Sequence, residues 1–228
     1  MMIPTEAALI ARSVLSCPER LTLRVGEQRE ALEDEAYDVT SDVHGSPVFS
    51  ASEGSALLAA ARRGAGGVLE VTSGLGDPAC GDRRLDLFLQ GRLARRGAGC
   101  SCCGDPRSLV ALEVSRVTLF RDDRPVPVDV ARYRDRELVL NPGYLQRTAE
   151  HANEAHEQEL RAAMASTFGV PLQSLLAASL LRVDASGVDV SWLDTAGGHT
   201  ERLDFLRTVS SPQELGTALR SHLHAGIC

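Results

Sequence analysis

The feature that most constrains this chain is a succession of apolar residues placed two apart through its first half. Leu21, Leu23 and Val25 alternate with Thr22 and Arg24, and Leu85, Leu87 and Leu89 are separated by Asp86, Phe88 and Gln90. Residues 37–41, 47–51, 67–72 and 109–120 read in the same way. A period of two sends alternate side chains to opposite faces, so each run predicts a strand with one buried face. Five or six short strands with little helix between them favour an antiparallel barrel over a parallel sheet. Two helices fit this scheme. Residues 5–15 carry Ala7, Ala8, Ile10, Ala11, Val14 and Leu15 at helical spacing behind Thr5 as cap, and residues 55–63 form an Ala/Leu helix ended by Gly64. Asp42-Val43-His44-Gly45 predicts a turn, and the Gly-, Cys- and Arg-rich stretch 95–107 predicts a surface loop.

The barrel pattern ends near residues 125–133. Asn141-Pro142 combines a capping side chain with Pro at the first helical position, and a helix is predicted from there to Phe168, stopped by Gly169 and Pro171. Apolar runs at 175–183, 188–192 and 203–206, with turns at 184–187 and 196–198, predict a three-stranded sheet. Ser211-Pro212-Gln213-Glu214 has the form of a capping box and opens a last helix. The expected organisation is a barrel domain over residues 1–138 and a second domain over 139–228 made of helix, three strands and helix.

Composition narrows the function. The formal charge is −7 with acidic residues spread along the chain, whereas a nucleic-acid partner requires a basic face. Every basic side chain among the 24 is Arg, which excludes Lys Schiff bases and Lys-dependent phosphate loops. No run of eighteen apolar residues occurs, so neither a membrane span nor a secretory leader is expected, the six cysteines are read as reduced, and the location expected is cytoplasmic.

Several residues are candidates for chemistry. His151 and His156 lie about 140° apart on a helix of 3.6 residues per turn, unlike paired zinc ligands, and with Asn153 they suit a helix-to-sheet joint in which Asn153 and His156 are structural. His222 continues the apolar face of Leu215, Ala218 and Leu219 on the last helix, and His224 points away from it. Either would serve as an axial ligand to haem iron, and the alternative is a half-buried helix residue followed by a cation favourable at the negative helix end. Cys100, Cys102 and Cys103 are too crowded for a two-plus-two zinc site and read as a surface thiol cluster. Arg62, Arg63 and the Arg83-Arg84 pair lie near strand ends, where paired guanidinium groups would hold a phosphate or propionate, or remain solvated. No nucleophile elbow, dinucleotide Gly fingerprint or carboxylate pair at hydrolase spacing is present.

Four stretches carry a family resemblance. YDVTSDVHGSP (37–47) resembles the first barrel hairpin of HugZ-type haem oxygenases and their split-barrel relatives, and RLDLFLQGRL (84–93) resembles a later strand. Residues 112–133, with Val128-Asp129, resemble the strand that closes the barrel. HANEAH (151–156), with VDASGV (183–188), resembles their C-terminal haem-utilisation-associated domain along most of its length. The resemblance implies an α+β chain: an antiparallel, FMN-binding-like split β-barrel related to pyridoxamine-phosphate oxidases, followed by a small α/β domain, assembled as a homodimer. It implies haem binding, with haem degradation if a reductant is supplied, and places His222 and His224 as haem-iron candidates; Arg62, Arg63 and Arg84, near predicted strand ends, are the cofactor-binding candidates read from the residues themselves. The alternatives are a non-catalytic regulatory protein with a protein partner in haem biosynthesis, and an FMN-dependent oxidoreductase. Residues 55–63 offer little hydrogen bonding to a flavin phosphate, which argues against FMN.

Overall fold

The computed structural model describes residues 4–26, 30–31, 39–76, 85–99 and 107–223. The chain divides into two compact units, Met1–Val139 and Leu140–Cys228, each α+β with an antiparallel sheet of its own.

In the first unit the helix α1 (Pro4–Ser16) precedes the strands β1 (Pro18–Val25), β2 (Glu30–Ala31), β3 (Val39–Ser41) and β4 (Pro47–Ser52). Helix α2 (Ala56–Arg62) leads to β5 (Gly66–Ser73), β6 (Leu85–Ala98), β7 (Arg107–Arg121), β8 (Arg124–Val128) and the short helix α3 (Val130–Tyr133). The strands form one sheet in the order β2-β1-β5-β6-β7-β4-β3, and β8 also pairs with β7. The predicted alternation sets the inner face: Leu69, Val71, Leu87, Leu89, Leu93, Leu112 and Leu119 are buried against Ala8, Ala11 and Val14 of α1 and Leu57 and Leu58 of α2. The Ser55 hydroxyl caps α2 by accepting from the Leu58 amide at 3.2 Å.

Two expectations are corrected here. Strands β6 and β7 run to 14 and 15 residues, so residues 95–98 and Arg107 belong to strands rather than to a loop; the paired ladder continues there from Arg95↔Val110 to Ala98↔Ser108. The strand pattern, expected to end near Pro125, also extends through Arg124–Val128, where Pro125 and Pro127 are tolerated because β8 pairs on one side only.

The register of β6 and β7 slips between Gln90 and Gly91, leaving Ser115 as the extra residue, a β-bulge. Gly91 is what lets the backbones close up there, since a Cβ on it would lie 2.1 Å from the Glu113 carbonyl oxygen. Arg12 is buried within the unit and donates to the Tyr133 carbonyl at 3.2 Å, while the Tyr133 hydroxyl donates to the Gly45 carbonyl at 2.7 Å. These bonds tie α1, α3 and the turn between β3 and β4 together.

The second unit contains the helices α4 (Pro142–Ala155) and α5 (Glu157–Phe168), strands β9 (Leu175–Val183), β10 (Gly187–Asp194) and β11 (Gly197–Asp204), and helix α6 (Pro212–Leu223). The sheet order is β11-β10-β9. Asn141 caps α4 through its side chain, accepting from the Tyr144 amide at 3.0 Å, and Gly169 ends α5 at φ 66°. Leu160, Ala163 and Met164 pack on Leu175, Leu180, Val188, Val190 and Trp192, and Leu215 and Leu219 of α6 complete the core.

The helix expected to be continuous from 142 to 168 is instead two helices joined at His156, whose backbone leaves the helical region at φ −130°, ψ 33°. The flanking bonds survive, from the His156 amide to the Ala152 carbonyl and from the Leu160 amide to the His156 carbonyl, so the joint is a kink and the apolar stripe continues through it. The third strand also differs from expectation. It is the polar run Gly197–Asp204 rather than residues 203–206, because β11 is an edge strand with most of its side chains exposed.

Candidate functional site

The joint at HANEAH is a docking point. Asn153 on α4 takes both backbone groups of one residue of β9: its side-chain amide donates to the Leu180 carbonyl at 2.9 Å and its oxygen accepts from the Leu180 amide at 2.8 Å. Arg161 on α5 donates to the Leu175 carbonyl on the same strand. An edge strand presents unpaired amides and carbonyls, and these two side chains take up part of that row on β9. His151 is exposed and His156 half-buried. The kink brings their rings edge to face with centroids 5.3 Å apart, although a straight helix would turn them apart. Among the described residues no three His, Cys, Asp or Glu gather to hold a metal ion.

The Arg candidates separate. Arg62 and Arg63 are exposed at the end of α2, where Arg62 pairs with Glu53 at 3.0 Å. Arg84, His224, and Cys100, Cys102 and Cys103 lie outside the described residues.

His222 is placed by α6, and α6 by the loop before it. The Phe205 amide donates to the Ser186 carbonyl at 2.7 Å and the Val209 amide to the Ala185 carbonyl at 2.8 Å, which fixes the loop on the turn between β9 and β10. Ser211 accepts from the Glu214 amide at 3.3 Å as the capping box requires, but the Glu214 carboxylate reaches one residue further back than expected, to the amide and hydroxyl of Ser210 at 2.8 and 3.0 Å. The Ser210 amide above all holds Glu214 below the usual carboxylate range. In the last turn of α6, the half-buried His222 ring lies 5.7 Å from the ring of Phe205.

Between this loop and α6 lies a cavity of about 330 Å³ with an apolar wall of Phe205, Val209 and Ala218. Leu206 stands at its lip with 95% of its surface exposed, and Arg207, also at the lip, is only loosely engaged by Glu214 at 4.0 Å. The volume is at the lower end of the range for small-molecule sites, about 300–1,000 Å³. An imidazole beside an apolar wall, with a cation at the rim, suits a largely apolar ligand that carries an acidic group or a metal. Sequence reasoning located His222 on the apolar face of α6 but not the loop residues opposite, because that loop is irregular and has no period.

No protein-family model matches the chain, and no curated protein matches it in sequence. Solved structures similar to it include a haem-binding protein from Mycobacterium smegmatis, at 17% identity over 96% of each chain with a TM-score of 0.44. A protein of unknown function from Agrobacterium tumefaciens is similar at 18% identity over 95% of this chain and 94% of that one, with a TM-score of 0.43. A protein of the pyridoxinephosphate oxidase family from Clostridium acetobutylicum, related to general stress protein 26, is similar at 10% identity over 57% of this chain and 99% of that one, with a TM-score of 0.42.

Proposed function

We propose that the chain binds haem, with His222 as an axial ligand. The observation that carries this reading is the position of His222, half-buried on the closing helix beside the apolar wall of Phe205, Val209 and Ala218. The sequence resemblance of HANEAH and the domain behind it to haem-utilisation proteins supports the same reading.

The residues present fit the group. Iron in haem is already held by four porphyrin nitrogens and takes one or two further ligands from the protein, most often a neutral His. The apolar wall would meet the macrocycle, and Arg207 at the lip would meet a carboxylate. When bound, haem would supply redox-active iron. The chain's own part is to present the His222 imidazole, to exclude water with Phe205 and Val209, and to balance acidic substituents at the rim.

Titration of the full chain with hemin, followed by absorbance, tests the reading. A saturable Soret shift is expected, lost in His222→Ala and retained in His224→Ala. The absence of a shift in the wild type, or an unchanged shift in the double variant His222→Ala/His224→Ala, would overturn it.

A further inference from the structure

The two edges of the second unit's sheet are built differently. On β9 the register with β10 shifts twice, between Asp189 and Val190 and between Leu193 and Asp194, and the side chains of Asn153 and Arg161 occupy main-chain groups of Leu180 and Leu175. On β11 all 8 residues from Gly197 to Asp204 pair with β10 without a shift, and none of them is Pro. Natural sheet edges are blunted by short strands, Pro, bulges or covering groups, because open amides and carbonyls invite another strand. The first unit follows that rule: β2 and β3 close its sheet order with 2 and 3 residues, and β8 carries Pro125 and Pro127. Among the described residues the edge of β11 shows none of these devices, and Gly198, Thr200, Glu201, Arg202 and Asp204 are exposed along it.

The bond from the Phe205 amide to the Ser186 carbonyl sets the alternation of the β10–β11 ladder. Leu203, Glu201 and His199 turn their main-chain groups to β10, and Asp204, Arg202, Thr200 and Gly198 turn theirs outward. A second copy of the strand running antiparallel, with Thr200 against Thr200, would bond at Gly198, Thr200 and Arg202. That register sets the His199 imidazole against the Glu201 carboxylate of the second copy, twice by symmetry, a donor against an acceptor whichever charge the ring carries. It also sets Arg202 against Gly198, where an added Cβ would meet nothing within 4 Å. Sliding the strands so that Glu201 or Arg202 meets its own copy opposes like charges, which destabilises a pair. Sliding them the other way loses both His199–Glu201 pairs. Arg202 holds the edge in shape beforehand, engaged with Asp184, Asp189 and Asp204 at 2.9, 3.0 and 2.9 Å.

We propose that β11 is a self-pairing edge, through which two copies of this chain join antiparallel about Thr200 into one continuous sheet. In strand addition of this kind the main chain supplies affinity and the side-chain register supplies selectivity.

Sedimentation equilibrium of the full chain over a dilution series, in reducing buffer, tests the pairing. Thr200→Pro removes an outward N–H, which an edge strand tolerates, and Thr200→Lys keeps that donor but opposes like charges. Where the wild type is paired, both variants are expected at about half its mass, with unchanged far-UV circular dichroism, and their association should be weaker by about tenfold or more. Thr200→Cys tests the register. Directly bonded partners have Cα atoms about 5.5 Å apart, within the span of a disulfide, so mild oxidation should link position 200 to itself between copies, located by peptide mass, with the wild type treated alike to account for native thiols. Equal mass for the wild type and either folded variant at every concentration, or no link at position 200, would overturn the proposal.

Discussion

Replacing Asn153 by Ala removes both hydrogen bonds to Leu180 and leaves a buried amide and carbonyl on the edge of β9 without their side-chain partner. A hydrogen bond of this kind contributes about 0.5–1.5 kcal/mol net, and a buried polar group left unsatisfied costs about 1–3 kcal/mol. The kinked helix pair retains its apolar contacts and Arg161 remains on the same strand, so the expected loss is about 2–3 kcal/mol. Urea unfolding followed by Trp192 emission is the appropriate assay, because that residue lies in the core of the second unit and is the only tryptophan. With a slope of about 1 kcal/mol/M for a unit of this size, the midpoint should fall by about 2–3 M. Asn153→Asp separates the two bonds. Its carboxylate still accepts from the Leu180 amide but sets a negative oxygen against the Leu180 carbonyl, so at neutral pH it should be no more stable than the Ala variant. It should recover as acid restores a donor. A midpoint shift below about 0.5 M for the Ala variant, or wild-type stability for the Asp variant at neutral pH, would refute the docking argument.

Other outcomes follow from the same geometry. Gly91→Ala places a Cβ 2.1 Å from the Glu113 oxygen and 2.7 Å from its carbon; both are backbone atoms, so β6 and β7 must separate at the bulge, and thermal melts by circular dichroism should show a loss of about 3 kcal/mol or more. Asp184 is held below the usual carboxylate range, first by its hydrogen bond from Arg202 and then by Ser186. A depressed folded pKa gives stability that is present above the unfolded value, about 3.9, and is lost as pH falls below it. Unfolding midpoints of the wild type should therefore drop below about pH 4, and Asp184→Asn should be less stable at pH 7 with a shallower acid decline.

The strand alternation in the first unit was legible because half-buried strands carry their environment in a period of two: Leu87 and Leu89 are buried and Leu85, partly buried, packs against the same core. The Asn141 cap and the Gly169 stop were legible because each acts on the backbone beside it. The kink at His156 was not, since residues 149, 152, 156, 160 and 163 keep one helical stripe and neither Gly nor Pro interrupts it. The strand Gly197–Asp204 was missed because an edge strand can be polar throughout. His199 escaped notice for the same reason, though counting back across the turn between Asp194 and Gly197 sets it opposite Trp192.

What the sequence by itself determined is local: which segments are helical or extended, where they are capped, and which faces are apolar, because these follow from side chains within a turn or two of each other. The tertiary structure alone decided which distant groups meet. Asn153 reaches Leu180, Arg12 reaches Tyr133, and Phe205 is brought to His222. Nothing in the spacing of these residues encodes their encounter, since contacts between elements depend on how whole faces pack. The candidate haem site belongs to this second kind: its histidine was visible in the sequence, and the wall beside it became visible only in the fold.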